Sequence, residues 1–403
     1  MSDRPTRSPR GFGTRAIASA STPPTVDQIG TSVPIYQAAA FAAEDSQELA
    51  DILGFRTPGY SYARIVNPTA DALGAAYAEI SGAEAGFAFG SGMAAIHTAL
   101  VSLLKAGDHI VCTRAVYGST RHLLTEVLGR FGVETVFVDP TDPAAVAAAL
   151  AVPTRVLYLE TISNPTIVVA DLPALITAGH AAGAAVVVDN TFASPYVCRP
   201  VELGADIVVE SATKWLGGHS DVIAGVAAGS TDAMARVRAV SIDTGGIVAP
   251  FSAFLVLRGI QTLHVRMAAH ARTAAALASH LEGRPETTRT LYPGLPSHPQ
   301  AEVARRVLRT GGGMLAVDLG TRAAAAAFID HLTIPPLTAS LGSVHTLAVH
   351  PPSHTHRQLD DAGLAEAGIA QGLVRISVGL EDPEDLLADI DQALDAIGSA
   401  GPA

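Results

Sequence analysis

Only two of the chain's 26 Lys and Arg residues are lysines, Lys105 and Lys214. A lysine can condense with a carbonyl to form a Schiff base, which an arginine cannot do. Lys105, in "SLLKAGD", reads as a helix end, where a cation suits the helix dipole and glycine supplies the cap. Lys214, in "ESATKWLGGHSD", follows an apolar run and stands between Ser211, Thr213 and a Gly-Gly turn. Beside a buried sheet its pKa would fall, as a nucleophilic amine requires. The same local sequence also suits a lysine on an ordinary loop. Asp189 ends "AAVVVDN". A buried carboxylate is unfavourable unless a cation or donors meet it, and a cofactor's pyridinium nitrogen is such a cation. Capping the next turn with Asn190 and Thr191 is the alternative. Gly90, Ser91 and Gly92 of "FGSGMAA" open a helix, whose free N–H groups suit a phosphate, although many helices start this way. Tyr117, in "AVYGST", follows a strand, where its ring can stack on a planar ligand or simply be half buried in a loop.

These residues need elements to position them. Residues 1–60 are rich in Pro, Gly, Ser and Thr, and beyond a short helix in "DSQELADIL" they read as an extended arm. From about residue 67 the pattern alternates. "TADALGAAYAEISG" predicts a helix ending at Gly82, and "GMAAIHTALVSLLKAG" a second one that reaches Lys105. The strands "HIVCT", "VETVFVD", "RVLYLE", "AVVVDN" and "ADIVVES" follow, interleaved with helices in "TRHLLTEVLGRFG", "PAAVAAALA" and "DLPALITAGHAAG". Continuous β-branched runs between helices predict a parallel sheet covered on both faces. Such sheets bind ligands at the strands' carboxyl ends. A helical stretch at about 249–283 leads to a second region. It holds "GGMLAVDL", a helix at 322–331, a Pro/Ser/His-rich loop at 335–357, "LVRISVG" and a last helix at 383–397.

The bulk properties narrow the function. Hydrophobic residues make up 48%, charged ones 16%, and the net charge is −12. That balance argues against nucleic acid as a partner and offers no basic stripe to an anionic membrane. Cys112 and Cys198 are too few for a disulfide framework, and with no signal-peptide pattern the expected compartment is the cytoplasm. A Rossmann dehydrogenase fits the strand pattern but needs a GxGxxG fingerprint, which is absent, as is GxxxxGK[ST]. His350, His354 and His356 of "HPPSHTH" lack the Cys or paired carboxylates of a metal site, so no metal is expected.

The segments "YARIVNPT", "GSGMAAI", "LETISNPT", "VVVDNTFASP", "DIVVESATKWLGGHSDVIAG", "LYPGLPSHP" and "LVRISVGLED" together resemble the Cys/Met-metabolism (trans-sulfuration) family of fold-type I pyridoxal-phosphate enzymes. The likeness runs from about residue 30 to the end. It implies an α/β fold with a mostly parallel seven-stranded sheet covered by helices and a smaller C-terminal α/β domain. The implied division is an arm at 1–63 contacting a neighbouring subunit, a cofactor domain at 64–258 and a C-terminal domain at 259–403. The implied cofactor is pyridoxal 5'-phosphate, held by Lys214 as a Schiff base, with Asp189 on its ring nitrogen. Ser211, Thr213 and the backbone of Gly92 and Met93 would take the phosphate, Asn164 would lie near the ring hydroxyl, and Tyr117 would stack and assist proton transfer. Tyr62 and Arg64 would reach the phosphate of the neighbouring subunit, in a homotetramer built of dimers. Arg375, with Ser340, would clamp the substrate carboxylate.

The resemblance further implies carbon–sulfur chemistry on an amino acid. The expected reaction is γ-elimination from L-methionine, giving 2-oxobutyrate, ammonia and methanethiol. γ-Replacement on an O-acylhomoserine, or γ-elimination from cystathionine, are the alternatives. Four residues depart from the family's usual ones. Glu210 replaces a histidine and Trp215 a tyrosine, both read as lying behind the ligand contacts. Ala339 replaces a glutamate frequent in members that handle cystathionine. Ser119 replaces a cysteine of the methionine-cleaving members.

Overall fold

A computed structural model describes residues 30–357 and 359–399, and every element below lies in the unit that begins at Ile35. The arm expected over residues 1–63 therefore lies partly outside the described residues. The first part of the chain runs α1 (Ser46–Leu53), α2 (Pro68–Ser81), β1 (Ala85–Phe89), α3 (Gly92–Val101), β2 (His109–Thr113), α4 (Gly118–His122), β3 (Glu134–Val138), α5 (Pro143–Leu150), β4 (Val156–Glu160), α6 (Leu172–Ala181), β5 (Ala185–Asp189), α7 (Ser194–Val197), β6 (Ile207–Glu210), β7 (Gly225–Gly229) and α8 (Thr231–Thr244). Then follow α9 (Pro250–Gln261), α10 (Leu263–Glu282), β8 (Arg289–Leu291), α11 (Ala301–Val307), β9 (Met314–Asp318), α12 (Arg322–His331), β10 (Leu347–Val349), α13 (Asp361–Glu366), β11 (Leu373–Ser377) and α14 (Pro383–Ser399).

Seven strands form one sheet in the order β1-β7-β6-β5-β4-β2-β3. The run from β6 to β3 is parallel, whereas β7 pairs antiparallel with both β6 and β1. The parallel strands β2, β4, β5 and β6 are Val- and Ile-rich runs buried on both faces, as a helix-covered sheet demands, whereas the edge strand β3 leaves Glu134 and Val136 exposed. Val186, Val188 and Val208 pack into one cluster and Val187, Ile207 and Val209 into another. The first cluster continues into Met314, Ala316 and Leu373 of the four-stranded antiparallel sheet, ordered β10-β11-β9-β8.

Local signals set the helix ends. Asn67 caps α2 by accepting from Thr69 and Ala70 N–H, Pro68 occupies the first turn, and Gly82 closes it in the left-handed region. The helix expected to reach Lys105 stops at Val101 instead. Ser102 Oγ bonds back to the Ala99 carbonyl at 2.7 Å, and the chain turns there. Lys105 is thus an exposed turn residue, whose N–H donates to Asp108. "TRHLLTEVLGRFG" is also no single helix: α4 passes into a π-turn over Leu123–Leu128 and a 3-10 turn over Gly129–Phe131. The wider turn brings Leu123 and Leu128, five residues apart, into the core together.

Strands β1 and β7 escape the sequence pattern because "AGFAF" has no β-branched residue, "GVAAG" has only Val226, and both are rich in Gly and Ala. They are small for a packing reason. A Cβ on Gly86 of β1 would stand 2.3 Å from the Gly74 carbonyl of α2, which crosses the strand at backbone contact. In the second region, β8, β10, α11 and α13 also exceed the expectation, and β10 lies inside the stretch read as a loop.

Candidate active site

The carboxyl ends of β2, β4, β5 and β6 converge, and each ends at a residue the chemistry needs. Tyr117 follows β2, Glu160 ends β4, Asp189 ends β5, and Ser211–Lys214 follow β6. Around them lies a cavity of about 300 Å³. Its wall includes Gly92, Met93, Tyr117, Asn164, Asp189, Ser211, Thr213, Lys214, Ser340 and Arg375. Residues more than 280 positions apart, from Gly92 to Arg375, thus share one surface. Tyr62 and Arg64 do not line it. Both are exposed, with the Arg64 guanidinium 5.7 Å from the Tyr62 ring centre and bonded to the Ile242 carbonyl.

Lys214 sits in a tight turn, with its N–H on the Ser211 carbonyl and its own carbonyl accepting from Gly218 at 2.7 Å. Its Nζ donates to Ser340 Oγ at 3.0 Å. Burial, and then the positive charge of Arg375, pull its pKa down to about 8. A substantial share of the amine is then neutral near physiological pH, the form that attacks a carbonyl.

Asp189 is buried. One carboxylate oxygen accepts from Thr191 N–H at 2.9 Å and the other from the Tyr158 hydroxyl at 3.3 Å. Burial raises its pKa, and these donors oppose the rise. Among the described residues no cation pairs with it. Arg375, also buried, directs Nη1 to Asn164 Oδ1 at 2.9 Å and Nη2 to the Ser340 carbonyl at 2.7 Å. Its Nε has no partner, and burial lowers its pKa to about 10. One wall of the cavity therefore holds a carboxylate without a cation and another a guanidinium without an anion. Each is unfavourable in a closed protein interior and favourable toward a ligand of opposite charge.

Gly92 and Met93 form the first turn of α3, where N–H groups have no helical acceptor, and Ser91 caps it through Ala94 N–H at 3.1 Å. Ser211 N–H is held by Thr191 Oγ1 at 2.9 Å. The Thr213 hydroxyl donates to the Ala224 carbonyl and accepts from Ala224 N–H, which fixes it in place. Tyr117, 40% exposed, presents its ring at the mouth.

Sequence reasoning missed Glu160. It lies directly opposite Asp189 across the β4–β5 ladder. Its two oxygens accept separately from the N–H of Tyr117 at 2.8 Å and of Asn164 at 3.0 Å. Burial drives its pKa well up, and the Asp189 charge adds to that. The signal was present, since "RVLYLE" ends in a carboxylate just as "AVVVD" does. Thr191, expected only in the turn, and Phe192, which the sequence does not single out, both line the cavity, and Arg375 lies 5.9 Å from the Phe192 ring centre. Glu210, Trp215 and Ser119 are not part of the wall, whereas Ala339 is. Of the histidine-rich loop, His350 is buried, with its ring nitrogens on Ser353 Oγ and the Gln371 carbonyl, both at 2.8 Å.

The donor set suits pyridoxal phosphate: an amine for its aldehyde, a carboxylate for its ring nitrogen, and helix N–H groups with hydroxyls for its phosphate. Comparison with known proteins agrees. Residues 13–395 match the family described as Cys/Met metabolism PLP-dependent enzyme. An L-methionine gamma-lyase of Pseudomonas putida is 42% identical over 96% of this chain and 98% of its own length. A cystathionine gamma-lyase of Bacillus subtilis is 42% identical over 91% and 94%. Among solved structures, a cystathionine gamma synthase from Xanthomonas oryzae pv. oryzae, in complex with aminoacrylate and cysteine, superposes with a TM-score of 0.87 at 35% identity, covering 91% of this chain and 94% of that one.

Proposed function

The chain belongs to the Cys/Met-metabolism family of pyridoxal-phosphate enzymes, and from that premise we propose that it is a carbon–sulfur lyase that removes the γ substituent of L-methionine. The observation that carries the reading is the pairing of opposite needs around Lys214: Asp189 lacks a cation and Arg375 Nε lacks an anion. A cofactor ring nitrogen meets the first need and an amino-acid carboxylate the second.

Bound pyridoxal phosphate supplies an electron sink for negative charge at the substrate's carbons. The chain's residues do the rest. Asp189 keeps the ring nitrogen protonated. Lys214 would carry the cofactor, and its free amine would move a proton between the substrate's carbons. Arg375, oriented by Asn164 and the Ser340 carbonyl, grips the carboxylate with a charge-assisted fork. Gly92, Met93, Ser211 and Thr213 hold the phosphate. The Tyr117 ring covers the cofactor and its hydroxyl serves the leaving group. Ile162, Ile223, Ala339 and Leu341 give the wall an apolar stretch, which suits a thioether tail better than a second charged amino acid. Ser119 lies outside that wall, so the missing cysteine does not alter it.

Tyr62 and Arg64 are exposed and off their own cavity, which supports their reaching a neighbouring subunit's phosphate in a homotetramer of dimers that share sites. The division into an arm (1–63), a cofactor domain (64–258) and a C-terminal domain (259–403), and a cytoplasmic location, belong to the same reading. Among the described residues no helix is long and apolar enough to cross a membrane. γ-Replacement is the second reading, favoured by the likeness to a synthase. The test is 2-oxobutyrate release from L-methionine by the cofactor-saturated protein without a thiol acceptor. Fast release supports the lyase. No release, with turnover of an O-acylhomoserine plus sulfide, replaces it with the second reading.

A further inference from the structure

Arg266, in the first turn of α10, is a buried arginine with no carboxylate partner among the described residues. Its guanidinium is spent on backbone. Nη1 donates to the Trp215 carbonyl at 2.7 Å, and Nη2 to the Gly259 carbonyl at 2.6 Å and, more weakly, to Leu216 at 3.4 Å. Nε donates to Thr262 Oγ1 at 3.1 Å. Three segments meet at this one side chain: the turn after Lys214, the C-terminal end of α9 and the start of α10. Burial lowers its pKa to about 10, with no anion to hold it up.

The surroundings are shaped to admit it. A Cβ on Gly218 would lie 2.2 Å from Nη1, and one on Gly259 would lie 2.3 Å from the Leu216 carbonyl. Real side chains never approach so closely, so both glycines are the room in which the guanidinium and the turn meet. A cation at the start of a helix opposes that helix's dipole, and a buried charge without a counter-ion loses several kcal/mol of hydration. A neutral side chain would pack α9 against α10 without either penalty. What only the planar, multiply donating guanidinium does is hold the carbonyls of the two residues after Lys214 at once.

We propose that Arg266 is the positioning residue of the Lys214 turn, fixing the backbone so that Nζ stands at the cavity wall beside Ser340. It never touches substrate or cofactor, since it is not part of the wall. The inference rests on Lys214 being the cofactor-bearing lysine.

The test uses the cofactor-loaded enzyme and compares Arg266→Lys with Thr262→Val, which leaves the arginine but removes its Nε acceptor. Two readouts report on the turn apart from turnover. One is the pH midpoint of the cofactor–lysine linkage, followed by absorbance. The other is emission from Trp215, the chain's single tryptophan, whose carbonyl Arg266 holds. In Arg266→Lys the ammonium cannot span both carbonyls. The midpoint is expected to rise by about one pH unit, a tenfold change, as the lysine becomes better hydrated. The emission should shift, and kcat should fall about 100-fold with KM changed far less. Thr262→Val should move the same readouts in the same direction by less. A lowered melting temperature with unmoved midpoint and emission would make Arg266 a structural residue only and overturn the proposal. Should Arg266→Lys not fold, an unmoved midpoint in Thr262→Val overturns it as well. Lys214→Ala is the control: if it still forms the linkage, the assignment of Lys214 fails first, independently of Arg266.

Discussion

A single carboxylate can organise two distant binding groups. Glu160 gives one oxygen to the N–H of Tyr117 and the other to that of Asn164, and Asn164 in turn orients Arg375. A glutamine in its place has one acceptor oxygen, and its NH2 group would face an N–H. Glu160→Gln should therefore loosen the Tyr117 loop and the Arg375 clamp together. We expect kcat/KM to fall by roughly 10- to 100-fold, as misplacement of about an ångström does, with the circular dichroism spectrum unchanged. Activity within about twofold of the parent would show that the pair is held by other means.

Strand β6 ends in Glu210, which is buried with both carboxylate oxygens unpaired. Its neighbour Tyr77 is equally buried, and the Tyr77 hydroxyl acts on the carboxyl to lower its pKa, against the larger effect of burial. Burial, then the charge of Asp189, push the Glu210 pKa well above the carboxylate range. The folded state thus keeps a proton that the unfolded chain loses above its ordinary pKa of about 4.3. Stability falls as pH rises from there toward the folded pKa, because the unfolded state binds fewer protons. Glu210→Gln removes this slope while keeping the shape. Urea unfolding at pH 5 and pH 8 should show the variant gaining on the parent at the higher pH, by about 1.4 kcal/mol for each pH unit over which the parent's carboxyl stays protonated. An equal difference at both pH values would mean that Glu210 is not held protonated.

At the scale of the whole molecule, shared sites make a sharper prediction than any single variant. If Arg64 serves the neighbouring subunit's phosphate, Arg64→Ala and Lys214→Ala damage different chains' contributions to the same site. A mixed dimer then keeps one intact site, with Lys214 from one chain and Arg64 from the other. Refolding the two weak variants together in equal amounts should restore roughly a quarter of parental activity, as the symmetry of a two-fold assembly dictates. No recovery above the sum of the separate variants would place Arg64 outside a shared site.

The residues themselves announced the chemistry. Lys214 stood out because lysine is so scarce, Asp189 because it closes an apolar run, and the α3 entrance because Gly-Ser-Gly is a helix start. Composition and alternating periodicity likewise determined the α/β class, since β-branched strands between amphipathic segments have few other ways to bury themselves. Short-range pattern could not reveal β1 and β7, whose small residues are chosen for the helix that crosses them and not for strand propensity. Nor could it reveal what Phe192 and Arg266 touch, or which N–H groups the carboxylate that closes "RVLYLE", Glu160, would hold. Their roles consist of contacts made across 43, 183 or 51 positions of sequence, and only the closed fold brings those partners within reach. Type and local spacing decide which groups can react, whereas long-range packing decides what holds them still.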